Sequence, residues 1–242
     1  MADRSMPRIL IVLTSNGSLG DTGDKTGFHW VEMTDPYYAF RDAGFEVQLA
    51  SIRGGRPPHD PSSLDEAPAD RPESVRRFLD DPVAREELEA TLPVAEAEPD
   101  EYDAIYLPGG HGTMWDLPQS AALGDLIRRM DADGKVVASI CHGPAAFVGL
   151  TRADGSPFVE GRRVNSFTDQ EERKVGKDGI VPFLLESRLR EEGARFEHAG
   201  PFEACCVEDR NLITGQNPPS AKPVGEAVIR AVEARRQHRA AE

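Results

Sequence analysis

Cys141 and His142 stand side by side in Val136-Val-Ala-Ser-Ile-Cys-His-Gly-Pro-Ala-Ala146, a thiol followed at once by an imidazole, a glycine and a proline. Thiols react as thiolates, so the pair places a nucleophile next to a base. Five residues of strand character run directly into it, and Ala145-Ala-Phe-Val-Gly-Leu150 then reads as a helix. With almost no loop between the two, Cys141 sits at the reversal itself. That is the position of a nucleophile elbow, here without the Gly-x-Ser-x-Gly pattern. Gly143 permits close approach of neighbouring backbone, and Pro144 suits a first helical turn. A helix N-terminus at this point would favour the thiolate through its dipole and unpaired amides. The competing reading of Cys141 is a packed core thiol after a strand.

A second loop has related potential. Leu107-Pro-Gly-Gly-His-Gly112 follows another apolar run, and adjacent glycines let amide groups turn toward a ligand. Stabilising a developing oxyanion requires such donors. The amides of Gly110 and His142 are the candidates, against the alternative of an ordinary tight turn. His111 and Trp115 follow the glycines and either line a pocket or pack at its rim.

These residues need elements to position them. Arg8-Ile-Leu-Ile-Val-Leu-Thr14 reads as a strand buried on both faces. Asp35-Pro36 resembles an N-cap with a first-turn proline, opening a helix that runs to Ala43 and stops at Gly44. Phe45 to Ser51, Tyr102 to Leu107 and Lys135 to Ile140 read as strands, and Ala121 to Met130 as a helix. Further strand signals lie at Arg163-Val164, Ala194 to Glu197, Glu203 to Val207 and Asn211 to Thr214, before a closing helix from Ser220 to about Arg235. Strands alternating with helices at this spacing predict an α/β fold with parallel crossovers, whose ligands bind beyond the carboxyl ends of the strands. Arg53 to Asp100 is rich in Pro, Asp, Glu and Ala and carries one amphipathic segment, Ser74 to Leu92. It reads as an excursion from the core.

The formal charge of -14 disfavours nucleic acid and anionic membranes, because the long-range field repels polyanions. No stretch approaches the roughly 18 apolar residues of a membrane span, and Met1 to Arg8 lacks the apolar segment of a secretory signal. Three cysteines give neither a disulfide framework nor a zinc spacing. The expectation is a cytoplasmic protein with reduced thiols. Cys205 and Cys206 lie in a strand-like stretch and point to opposite faces, so packing explains them. His29, His59, Glu101 and His111 have no metal-ligand spacing, so no metal is expected. The basic Arg235-Arg-Gln-His-Arg239 reads as a solvated helix end.

Ala138-Ser-Ile-Cys-His-Gly-Pro144, Pro108-Gly-Gly-His-Gly-Thr-Met-Trp-Asp116 and Gly215-Gln-Asn-Pro-Pro-Ser220 together resemble the DJ-1/PfpI superfamily, in its Hsp31-like branch, often labelled type 1 glutamine amidotransferase-like. The resemblance runs from Ile9 to the last helix. It implies a flavodoxin-like three-layer sandwich with a mostly parallel sheet, one domain over residues 1–242, and a helical insertion at about 53–100. It also implies a buried glutamate hydrogen-bonded to the cysteine, which falls on Glu32 in Thr26-Gly-Phe-His-Trp-Val-Glu-Met33. His29 and Trp30 flank it and would shape access. A carboxylate orienting His142 would come from Asn165-Ser-Phe-Thr-Asp-Gln-Glu-Glu172. Alignment favours Glu172, with Glu171 and Asp169 as rivals among which the local sequence does not choose.

The activity implied is that of a glutathione-independent glyoxalase, which converts the small aldehyde methylglyoxal to lactate with no cofactor, in a homodimer. An amidase or peptidase using the same cysteine, and a redox-sensing holding chaperone, are the alternatives. A glutaminase is disfavoured, because neither His198 nor His238 has the His-x-Glu arrangement of that class.

Overall fold

Among the described residues, nine strands are interspersed with helices. They are Arg8–Leu13 (β1), Glu46–Ser51 (β2), Leu92–Pro93 (β3), Ala104–Leu107 (β4), Val136–Ile140 (β5), Arg163–Val164 (β6), Arg195–Phe196 (β7), Cys206–Asp209 (β8) and Leu212–Gly215 (β9). The helices are Trp30–Asp42 (α1), Glu73–Asp80 (α2), Pro82–Glu89 (α3), Thr113–Asp116 (α4), Ala121–Ala132 (α5), Asp169–Lys174 (α6), Leu185–Glu191 (α7) and Ala221–Ala240 (α8). This computed structural model describes residues 6–240, so part of the N-terminal stretch read as lacking a signal lies outside the described residues.

Seven strands form one sheet in the order β3-β2-β1-β4-β5-β9-β8, parallel except for the β8–β9 pair. The apolar run of β1 requires neighbours on both edges and covers on both faces. Ile9 pairs with Val47 of β2 on one side and Ala104 of β4 on the other. Side chains alternate across the pleat. Ile9, Ile11 and Leu13 join Met33 and Tyr37 of α1 and Val224 and Val228 of α8 in one buried cluster. Leu10 and Val12 join Leu123, Ile127 and Met130 of α5 in the other. Each fully buried aliphatic side chain of this kind contributes about 1.5–3 kcal/mol of transfer free energy. The result is the expected three-layer, flavodoxin-like α/β sandwich.

Several elements differ from the sequence reading. Helix α1 begins at Trp30 and carries Pro36 in its interior. An interior proline cannot donate to the carbonyl four residues back. That carbonyl belongs to Glu32, and Tyr106 Oη donates to it at 2.7 Å. A tyrosine from β4 thus satisfies the group that Pro36 leaves open, and the helix continues past it. The segment 74–92 forms two helices, because Asp81 turns extended before Pro82 and caps α3 by accepting from the amides of Val83 and Ala84. Arg163–Val164 and Arg195–Phe196 pair with each other in a separate two-stranded sheet. The closing helix absorbs the basic tail, and Arg235 donates to the Asp133 carbonyl.

Strands β1, β4 and β5 are adjacent, and the segments leaving their carboxyl ends carry Glu32, the Gly109–His111 turn and Cys141. Chain order reverses direction across the β1–β4 pair, which places these groups at the switch of the sheet, where such folds bind ligands.

Candidate active site

Cys141 has φ +58, a left-handed backbone conformation that costs a non-glycine residue energy. Its surroundings hold it there: its amide donates to Gly215 O at the end of β9, and its carbonyl accepts from Phe167 N, each at 2.8 Å. Gly143 is required beside it, since a Cβ there would lie 2.4 Å from Leu107 O and 2.5 Å from Ser139 Oγ. The turn between β5 and the following segment is therefore strained and tightly held. The segment after the elbow departs from the expected helix. Gly143–Phe147 is a single 3-10 stretch of five residues, so the helix dipole acts weakly on the thiol.

The thiol is buried, with 3% of Cys141 exposed, and burial pushes it well above its usual range, with ionised Glu32 adding to the rise. Gly110 opposes this by directing its amide at the sulfur. Gly110 has φ +101, and a Cβ on it would meet Gly27 O at 2.2 Å, so this donor depends on glycine. Glu32 is fully buried; one carboxyl oxygen, Oε2, accepts from the Gly109 amide at 2.7 Å. The other oxygen has no partner of ordinary hydrogen-bond geometry among the described residues, while the carboxyl interacts with the Cys141 thiol. Burial raises the Glu32 carboxyl to about 8, against the lowering effects of Cys141 and Gly109. At neutral pH it is protonated, and its hydrogen can be given to the sulfur. Glu32 and Cys141 thus titrate as a pair. Protonation of Glu32 removes the charge that raises the thiol.

His142 Nδ1 lies 3.2 Å from Cys141 Sγ, and His142 Nε2 lies 2.6 Å from Glu172 Oε2. Glu172 Oε1 lies 2.7 Å from His111 Nε2. Burial would raise the Glu172 carboxyl, but the adjacent His142 and His111 outweigh it and hold Glu172 well below the carboxylate range. An ionised carboxylate only accepts, so both imidazoles donate from Nε2. That leaves Nδ1 of neutral His142 as the lone pair facing the thiol. The His142 ring is fixed between His111, with centroids 4.1 Å apart, and Phe167, 4.6 Å away.

The three rival carboxylates are separated by what they touch. Glu171 completes a capping box with Thr168, and its Oε1 also accepts from Phe202 N, Gln216 Nε2 and Asn217 Nδ2. Asp169 binds Ser187. Glu172 is the carboxylate on His142. His111, expected to line the pocket or its rim, is a second donor to Glu172, and burial lowers its imidazole to about 4. The spacing of a histidine just after Gly109-Gly110 was visible, but its partner was not. Trp30 packs against Phe28, His59 and Phe78 in an aromatic cluster, and its indole N–H is buried without a hydrogen-bond partner among the described residues. Cys205 and Cys206 are unbridged and half-buried.

Among the described residues, His111, His142 and Glu172 have ligand atoms within 4.8 Å of one another, close enough to share a metal ion. A metal would require both Nε2 atoms to lose their protons and would lie near the Lys177 ammonium, which is 3.4 Å from His111 Nδ1. The hydrogen-bonded arrangement uses the same atoms with neither cost. Two surface clefts, of about 560 and 300 Å3, are lined by other residues and do not reach Cys141. No helix among the described residues is long and apolar enough to cross a membrane.

The chain is 32% identical over 234 residues to the glutathione-independent glyoxalase HSP31 of Saccharomyces cerevisiae, covering 94% of this chain and 97% of that protein. Among solved structures, the Francisella tularensis Rapid Encystment Protein 24 KDa superposes with a TM-score of 0.90 at 33% identity, covering 94% and 99% of the two chains. Glyoxalase III from Candida albicans superposes with a TM-score of 0.83 at 32% identity, covering 93% and 97%. Residues 25–231 match the DJ-1/PfpI family model, and with the elbow cysteine at the sheet switch this chain belongs to that family.

Proposed function

We propose that the protein is a glutathione-independent glyoxalase of the Hsp31 type, converting methylglyoxal and water to lactate through Cys141. The observation that carries this reading is the continuous set of contacts Cys141–His142–Glu172 among buried residues. Cys141, His142 and Glu172 are 3%, 1% and 3% exposed. A thiol this buried favours a small aldehyde over the extended peptide of the amidase reading. The yeast and Candida relatives named as glyoxalases support the same substrate class.

His142 Nδ1 takes the thiol proton, the sulfur adds to the aldehyde carbon, and the proton passes from Nδ1 to the carbonyl oxygen, giving a neutral hemithioacetal and a free Nδ1. The amide of Gly110 and the proton on Glu32 face the sulfur and the oxygen that gains charge. His142 then removes the proton from the former aldehyde carbon and returns it to the neighbouring ketone carbon. The hydroxyl proton of the first carbon passes to the ketone oxygen of the second, so the first carbon is oxidised to a thioester, the second is reduced to an alcohol, and no external electron carrier is needed. Water cleaves the thioester, releasing lactate and regenerating the thiol. Glu172 stabilises the imidazolium at each transfer. The test is methylglyoxal consumption by reduced protein without glutathione, with lactate quantified. No consumption by protein whose Cys141 is shown to be reduced would overturn the proposal.

A further inference from the structure

The chain of contacts does not stop at His111. Lys177, in the turn after α6, places Nζ 3.4 Å from His111 Nδ1. Its own amide donates to the Glu172 carbonyl at 3.1 Å, which ties the turn to the residue that orients His142. Lys177 is half-buried, and the carboxylate that faces it, Asp60, comes from the insertion. Burial would raise the Asp60 carboxyl, but hydrogen bonds from Ser62 and the Lys177 charge hold it below its usual range. An ammonium has three donors and no acceptor. Contact with it therefore commits Nδ1 of His111 to accept, and the ring proton to Nε2.

We propose that Lys177 is a positioning residue that locks His111 in the Nε2–H tautomer, so that Glu172 receives two N–H donors and keeps His142 Nε2 as one of them. The alternative tautomer would direct the Nε2 lone pair of His111 at Oε1 of an ionised carboxylate 2.7 Å away. That repulsion is relieved only if Glu172 gains a proton or one imidazole turns aside. Either change loosens Glu172 from His142 and with it the alignment of Nδ1 on the thiol. The groups facing His111 are Glu172 and Lys177 from the α6 region and His142 from the elbow, so the lysine is the donor available to its Nδ1. The lock on His111 rests on geometry alone; its effect on turnover rests on the proposed aldehyde chemistry.

Nitrogen-15 NMR of the histidine side chains reads the tautomer directly and needs no substrate. His111 in the native protein is expected to carry its proton wholly on Nε2; in Lys177→Met Glu172 still favours that form, but a measurable share of Nδ1–H is expected to appear, with Lys177→Arg removing it. With methylglyoxal, Lys177→Met should lower kcat about tenfold at nearly unchanged KM, while Lys177→Arg recovers most of the loss. A native protein inert toward methylglyoxal would count against the substrate and leave the NMR comparison to decide the lock. Nδ1–H on His111 in the native protein, or an unchanged tautomer in Lys177→Met, would overturn the proposal.

Discussion

His142 Nε2 meets Glu172 Oε2 at 2.6 Å, and this contact decides which ring nitrogen faces Cys141. The carboxylate accepts, Nε2 donates, and Nδ1 is left 3.2 Å from the sulfur. Glu172→Gln keeps the shape but replaces one acceptor oxygen by a donor NH2, which cannot serve both imidazoles. We expect kcat for methylglyoxal to fall by about 10²–10⁴ with KM little changed. Steady-state kinetics on the folded variant checks this, and an unaffected kcat would remove Glu172 from the mechanism.

Glu171 precedes Glu172 and performs a different task. Its carboxylate gathers Thr168, Phe202, Gln216 and Asn217 from separate parts of the chain while fully buried. Glu171→Ala orphans these donors and should cost about 3 kcal/mol or more. For a chain of this size that corresponds to a melting temperature lower by roughly 10 °C. Glu172→Gln should melt much closer to the native protein. Calorimetry on the two variants distinguishes them; equal losses would mean that both glutamates are structural.

Much of this site was legible as sequence, for reasons tied to particular residues. The elbow could be read because Cys141-His-Gly-Pro follows strand β5 without a loop, and the sharpness of the turn is a local property. The choice among Asp169, Glu171 and Glu172 could not, because all three share a helical turn and their targets lie far along the chain. Part of a signal was present: Thr168-Asp-Gln-Glu171 has the spacing of a capping box, which assigns Glu171 a structural task. His111 was visible as a pocket or rim candidate but its partner was not, and Lys177 gave no signal, since their contacts arise only when the loop after β4 meets the turn after α6. The start of α1 was misplaced because Asp35-Pro36 mimics an N-cap, and the compensating Tyr106 hydroxyl comes from a distant strand. The helix after Cys141 failed for a related reason: Gly143 and Pro144 open a 3-10 turn that tertiary packing does not extend.

The Glu32 carboxyl, raised to about 8 by burial, predicts an alkaline limb. Below that pH Glu32 is protonated and donates toward the sulfur; above it, its charge opposes thiolate formation. kcat/KM should therefore decline as pH rises through about 8. Glu32→Gln is neutral throughout and retains N–H donors, so its decline should move to higher pH. A pH–rate profile for both proteins tests the assignment, and coincident limbs would exclude Glu32 as its source.

Two of the thiols, Cys141 and Cys206, provide a test independent of substrate. Burial raises Cys206 to about 12, with Glu208 adding to the rise, and burial acts in the same direction on Cys141. Burial alone therefore predicts that neither thiol reacts readily at neutral pH. Cys141 differs in having an imidazole nitrogen at 3.2 Å to take its proton and the Gly110 amide to stabilise the charge. A small reagent such as iodoacetamide at pH 7 should accordingly modify Cys141 well before Cys206, as followed by peptide mass spectrometry. His142→Ala should abolish that preference without unfolding the elbow, which is held by backbone bonds to Gly215 and Phe167. If Cys206 reacts first in the native protein, the base at 3.2 Å is not activating the thiol, and the nucleophile would have to be sought elsewhere.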